Sequence, residues 1–216
     1  MNAGSERLRV RRGSWKGRYD RATIEAVLDR ALLCHVAFSA DDDVYCVPML
    51  YARVDDKVYV HGSTASRAVR ALAAGASACL TVTIVDGLVL ARSAFEHSTN
   101  YESVMLFGRF TPVAEVDERL VALEAFTEKL LPGRWSEVRG PSPQELKATA
   151  ILALPITEAS AKRRSGPPDD DDSPDAALDT WAGVLPLTTS FGTPIASPGL
   201  RPGIPVSESL RRLLAD

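Results

Sequence analysis

Residues 44 to 62 read VYCVPMLYARVDDKVYVHG, two runs rich in β-branched and aromatic side chains with only Asp55 and Asp56 between them. A two-residue connection joins antiparallel strands, whereas a parallel pair needs a crossover of a dozen residues or more. The same pattern recurs in CHVAFS at 34–39, in 77–92, read as two further strands, in YESVMLFGRFTPV at 101–113 and in ATAILALPIT at 148–157. So many hairpin-length returns argue against βαβ units. The expected fold is mainly β, a closed or nearly closed barrel with flanking helices.

The helices are fewer and short. From Asp20, DRATIEAVLDRALL places Ile24, Val27, Leu28, Ala31 and Leu32 at helical intervals, with Asp20 as N-cap. Residues 66–74 and Asp117 to Leu130 read as two more helices. Three stretches follow in order: a basic N-terminal arm at 1–18, a barrel domain at 19–160, and an irregular extension at 161–216. The arm contains ERLRVRRGSWKGR and is expected to be solvated. The extension holds eight of the fourteen prolines and the run PPDDDDSPD at 167–175, expected to be a solvated loop. Within it WAGVLPL at 181–187 restores apolar bulk and Ser207 can cap a short helix through Leu214, so the extension is expected to dock on the barrel or on a partner chain.

Charge and cysteines narrow the function classes. A net charge of −3 gives no general attraction to nucleic acid or anionic lipid. No run reaches the ~18 to 20 apolar residues of a spanning helix, so no membrane association and a cytoplasmic location are expected. Cys34, Cys46 and Cys79 show no CxxC spacing and are expected to be buried free thiols. No G-x-S-x-G elbow, P-loop, G-x-G-x-x-G or H-E-x-x-H is present, and no metal-ligand spacing. Any chemistry is expected to belong to a bound organic cofactor.

One stretch stands out as a binding feature. In YVHGSTASRAVRALAAG, residues 59–75, an apolar strand meets His61, passes through Gly62, Ser63, Thr64, Ala65 and Ser66, and reaches Arg67 as helical spacing begins. Backbone N–H groups, hydroxyls and a guanidinium converging there suit a phosphate, with Arg70 one turn further on. The simpler reading is a hydroxyl N-cap followed by a solvated arginine. His61 is read three ways: a core histidine, a contact to a ring system, or an axial ligand.

With VPMLYARVDDKVYVHGSTASRAVRAL set beside NYESVMLFGRF and ILALPITEASAKRR, the chain resembles the pyridoxamine 5'-phosphate oxidase-like, split-barrel FMN-binding superfamily. It is most similar to the branch that includes nitroimidazole-resistance proteins. The resemblance implies a homodimer with an FMN in each groove between barrels. Val47, Pro48, Met49 and Leu50 match the segment that lies along the flavin ring through backbone groups. Tyr51 stands where the oxidases carry a phosphate-binding lysine. Ser66 and Arg67 match a consecutive basic pair at the phosphate, with only the second charge kept, and Gly62 and Ser63 belong to the same turn. His61 and Ser103 would border the ring. Ala161 or Lys162 stands where a tryptophan of the neighbouring subunit covers the flavin, and Trp181 is a candidate substitute.

Because the oxidases' substrate-side residues are not reproduced, vitamin B6 oxidation is not expected. The leading expectation is an FMN-binding oxidoreductase that passes electrons from a reduced nicotinamide or another donor to a small organic acceptor, a nitroaromatic among them. Two alternatives stay open: a flavin-storing or sensing protein without turnover, and a haem-binding barrel with His61 or His35 as axial ligand. A deazaflavin in place of FMN is a third.

Overall fold

A computed structural model describes residues 4–215; Met1 to Ala3 of the expected arm and Asp216 lie outside the described residues. In chain order the elements are β1 (Gly17–Arg18), α1 (Arg21–Arg30), β2 (Leu33–Ala40), β3 (Asp43–Val54), β4 (Lys57–Ser63), α2 (Arg67–Ala73), β5 (Ser77–Leu90), β6 (Ser98–Arg109), β7 (Thr111–Pro112), α3 (Val116–Leu130), α4 (Pro143–Ala148), β8 (Thr149–Pro155), β9 (Glu158–Arg164), β10 (Gly183–Pro186) and α5 (Glu208–Ala215). The strands form one curled antiparallel sheet in the order β1-β9-β6-β5-β2-β3-β4-β8-β7, with β10 added to β5. This is a split β-barrel.

Short connections set its registers. Ala40 pairs Asp43 across Asp41 and Asp42, whose φ values of 52° and 63° make the left-handed two-residue turn that suits strand twist. Val54 pairs Lys57 across the expected Asp55-Asp56 turn. Asp20 caps α1 as its position promised, its side chain accepting from Thr23 N at 2.8 Å. The Thr23 hydroxyl first, and then that backbone bond, hold its carboxyl below the usual carboxylate range.

Two apolar layers result. Inside the barrel Val36, Val58, Val60, Leu80, Val82, Val104 and Leu106 pack with Ile24 and Leu28 of α1 and Leu72 of α2. Outside it, Ala52, Tyr59, Ile151 and Ala153 pack beneath Ala122 and Phe126 of α3. Where β6 passes β8 the Leu154 side chain packs over Gly108: a Cβ there would lie 2.7 Å from Leu154 Cδ1.

Several expectations change. Residues 77–90 are one strand rather than two, its register shifting between Val85 and Gly87, where a bulge bends it without ending it. The sheet extends beyond residues 19–160 at both ends, through β1 and through all of β9. Only Cys34 is buried; Cys46 is exposed and Cys79 partly so, because the last two lie on the outward face of their strands. The aspartate run is not wholly solvated either. Asp170 is buried, accepting from Arg92 N at 2.6 Å and from the Arg92 guanidinium at 2.9 Å. The extension does dock: β10 pairs β5, and Ser209 at the start of α5 donates its N–H to Glu137 at 2.9 Å. No helix among the described residues is long and apolar enough to cross a membrane.

Candidate functional site

The site begins with a strand that is paired on one side only. Over Asp43–Leu50, β3 is joined to β2, but β4 takes its other edge only from Tyr51 to Val54. β4 pairs β8 along its whole length, Lys57–Ser63, and beyond Val60 it keeps that neighbour while losing β3. The two strands therefore splay, and peptide groups along Val47–Leu50 keep hydrogen-bonding capacity that no neighbouring strand uses. Side-chain parity divides the same segment. Val47 and Met49 pack against the barrel core, Pro48 stands exposed on the outer sheet face, and Leu50 joins the layer under α3.

At one end of this open edge lies α2. Gly62 is required there, since a Cβ would come within 2.9 Å of Val69 Cγ2. Ser66 occupies the N-cap position without making a side-chain cap bond, so the simple capping reading fails at that residue. Ser63 Oγ instead accepts from Ala65 N at 3.2 Å. The guanidinium of Arg67 sits 4.9 Å above the Tyr45 ring, and Tyr45 in turn stacks on Phe38 at 5.5 Å. Arg67 is thus held over β3 rather than waving in solvent. It shares with Arg70, Asp41 and Gly75 a polar depression of about 750 Å³.

At the other end lies His61. Its ring packs 4.5 Å from Phe126 in a tilted arrangement, and its buried Nδ1 has no hydrogen-bond partner. Burial lowers its pKa, which keeps the imidazole neutral near pH 7. It borders a cleft of about 480 Å³ under α3, walled by Leu50, Leu123, Phe126, Leu130 and Trp135. Arg139 is also in the lining, gripped by Glu145 through bonds of 2.6 and 2.8 Å. A neutral imidazole on the wall of an apolar cleft whose lining ends in a guanidinium is a donor set that suits a flat, carboxylate-bearing metallo-macrocycle, with Nδ1 buried behind the ring and the other ring nitrogen left to face the cleft.

The expected residues therefore divide. Val47 to Leu50, His61, Gly62, Ser63, Ser66 and Arg67 fall along or at the ends of one open edge. Ser103 and Lys162 are register partners, with Ser103 Oγ donating to Lys162 O at 3.4 Å. They lie on β6 and β9; β5 and β2 separate Ser103 from β3, about 14 Å at ordinary strand spacing. Trp181 is 68% exposed and folds its ring against Gly183, beside β5. One chain does not bring these three to the edge. His35 is on the outer sheet face, opposite Pro48 and Thr81. Tyr51 points into the core, and its hydroxyl donates to the carbonyl oxygens of Leu28 and Ala31. The residues that sequence reasoning missed are those of α3 and of 135–145, whose contribution is apolar bulk with no motif to mark it.

Fold and site together define a split β-barrel protein with an open strand edge beside an apolar, histidine-bearing cleft. The chain belongs to the pyridoxamine 5'-phosphate oxidase family, whose model matches residues 20–163. No curated protein matches it. Among solved structures it is similar to the flavocytochrome Anf3 from Azotobacter vinelandii, at 38% identity over 99% of each chain and a TM-score of 0.91. It is also similar to an FAD and haem binding protein from Mycobacterium smegmatis, at 42% identity over 92% of this chain and 97% of that one, with a TM-score of 0.87. A candidate 5-nitroimidazole antibiotic resistance protein from Bacteroides thetaiotaomicron is 20% identical over 68% of this chain and 85% of its own, with a TM-score of 0.57, a likeness of fold alone.

Proposed function

We propose that this protein is a redox protein that binds both a flavin nucleotide and a haem. The observation that carries the reading is His61: a neutral, unpartnered imidazole on the wall of an apolar cleft, next to the strand edge that suits a flavin. The flavin phosphate would be held by Arg67 with Ser66 and Ser63, and its ring by the free peptide groups of Val47–Leu50. The haem would be held by His61 between Phe126 and Trp135. Together the two groups supply two-electron and one-electron chemistry. Leu50 and His61 border both places, so the protein keeps its two cofactors side by side. The near-full-length likeness to a flavocytochrome and to an FAD and haem binding protein supports this reading.

Acting on a small organic acceptor, with electrons from a reduced nicotinamide or another donor, is the activity that such a pair serves. The partner is proposed to be a second copy of the chain. The outer sheet face leaves Leu33 50%, Val44 79% and Met105 40% exposed, with His35 and Pro48 among them. A face of that kind is ordinarily covered. A symmetric dimer would bring Ser103, Lys162 and Trp181 of one chain toward the groove of the other.

The test is the absorption spectrum of the purified protein before and after dithionite, with the released cofactors identified by mass spectrometry. Flavin bands together with a Soret band that sharpens and shifts on reduction are expected. A protein that carries a flavin, and takes up no haem when haem is supplied, would defeat the two-cofactor reading.

A further inference from the structure

The depression beyond Arg67 is larger than a single phosphate needs. Besides Arg67 it is lined by Arg70, one helical turn on, and floored by Ala40, Ala71, Ala74 and Gly75, with Asp41 on its rim. Most arginines of this acidic protein are engaged: Arg30 with Asp86 and Glu102, Arg53 with Asp29, Arg92 with Asp170, Arg139 with Glu145. Arg67 and Arg70 are different. Among the described residues neither side chain makes an ion pair or a hydrogen bond, and Asp41 is not within ion-pairing distance of either. Arg67's one contact of this kind is with the Tyr45 ring. Two uncommitted guanidiniums a turn apart, in one depression at the end of the open strand edge, match two successive phosphate groups better than one. Beyond them the alanine and glycine floor leaves room for a flat group to approach the backbone.

We infer that Arg70 is the residue that selects a flavin dinucleotide over the mononucleotide: Arg67 takes the phosphate nearer the ring, Arg70 the second, and the 39–41 and 71–76 walls the adenylate. This rests on the flavin reading above and adds the ligand's class to it. FMN, the cofactor expected from the resemblance, would fill the Arg67 half and leave Arg70 in solvent. The Asp41 carboxylate opposes a second phosphate, so the selectivity comes from Arg70 and depends on salt.

The experiment is reconstitution of flavin-free protein with FAD or FMN, followed by fluorescence quenching at low and physiological salt. The wild type is expected to bind FAD about tenfold or more tightly than FMN, as one charge-assisted contact allows. Arg70→Ala should lose most of that preference while keeping its FMN affinity, and Arg67→Ala should weaken both. Equal affinity of the wild type for both flavins would overturn the inference and leave the flavin reading intact. An Arg70→Ala variant that keeps the full FAD preference, or that loses FMN and FAD in equal measure, overturns it too. Failure of both flavins to bind the folded wild type would overturn the inference together with the reading beneath it. Circular dichroism of each variant separates loss of binding from loss of fold.

Discussion

Tyr51 offers a sharp test because this position carries a phosphate-binding lysine in the oxidases and a core residue here. Its side chain is 0% exposed; its hydroxyl donates to Leu28 O and Ala31 O, the carbonyl ends of α1, and Lys129 Nζ lies 4.3 Å above its ring. Burial raises the phenol's pKa and lowers that of Lys129, as a dry site demands. In Tyr51→Phe the Leu28 carbonyl keeps Lys129 Nζ at 2.9 Å, while Ala31 loses a partner at 2.9 Å. One unsatisfied carbonyl costs about 1 to 2 kcal/mol. For a domain of this size that lowers Tm by roughly 2 to 8 °C. Tyr51→Lys would place an ammonium in the same apolar site beside Lys129, where the carboxylate in range, Asp29, is already paired with Arg53, a loss of roughly 3 to 5 kcal/mol. Thermal unfolding and flavin titration of both variants decide the matter. A Tyr51→Lys protein as stable as wild type and tighter for flavin would show that position 51 faces the phosphate after all, and the assignment of the site to Arg67 would fall.

Other outcomes follow from the same structure. Arg67→Ala is expected to lose most of its flavin on purification, whereas Arg9→Ala on the exposed arm should keep it; equal flavin-to-protein ratios would count against the phosphate assignment. Bonds from Ser209 hold the Glu137 carboxyl down at about 2, well under its ordinary value. A depressed carboxylate stabilises above its ordinary value of 4.5 and loses that contribution as pH falls through about 2. Protection factors against hydrogen exchange in 208–215 should therefore be high at neutral pH and fall below about pH 4, and Glu137→Gln should lower them throughout. Desolvation pushes the Cys34 thiol up to about 12, so it should resist alkylating reagents in the folded protein at pH 8. Cys46, exposed in the single chain, should be protected in a dimer and labelled on dilution to monomer.

The fold was legible where local chemistry sets it. The Asp55-Asp56 turn, the Asp20 cap, the alternation of CHVAFS and the β-branched run of KVYVHG each fix one element within a few residues of chain. Legibility failed where neighbours decide. Residues 161–164 fall in the stretch read as an irregular extension, yet they complete strand β9, where Ser160, Ala161 and Arg164 are buried and Arg164 is held by Asn100 and the Gly166 carbonyl. The bulge that bends β5 carries no turn signal beyond Asp86-Gly87, which reads as a strand end. Ser142 and Glu145 form a capping box on α4, a signal that the SPQE text carries locally. In the site, Arg67 and His61 were visible as residue types at a strand-to-helix bend. The cleft that gives His61 its meaning was not, because its walls come from α3 and 135–145, more than 60 residues away in the chain.

The central claim is that His61 offers its ring to a haem beside a flavin-bearing strand edge. It is tested most directly by haem titration of His61→Ala and His35→Ala, followed by the Soret band with flavin content measured on the same samples. His61→Ala should fail to develop a ligated haem spectrum while keeping its flavin, and His35→Ala should titrate like wild type. Normal haem binding by His61→Ala, or its abolition by His35→Ala instead, would contradict the account.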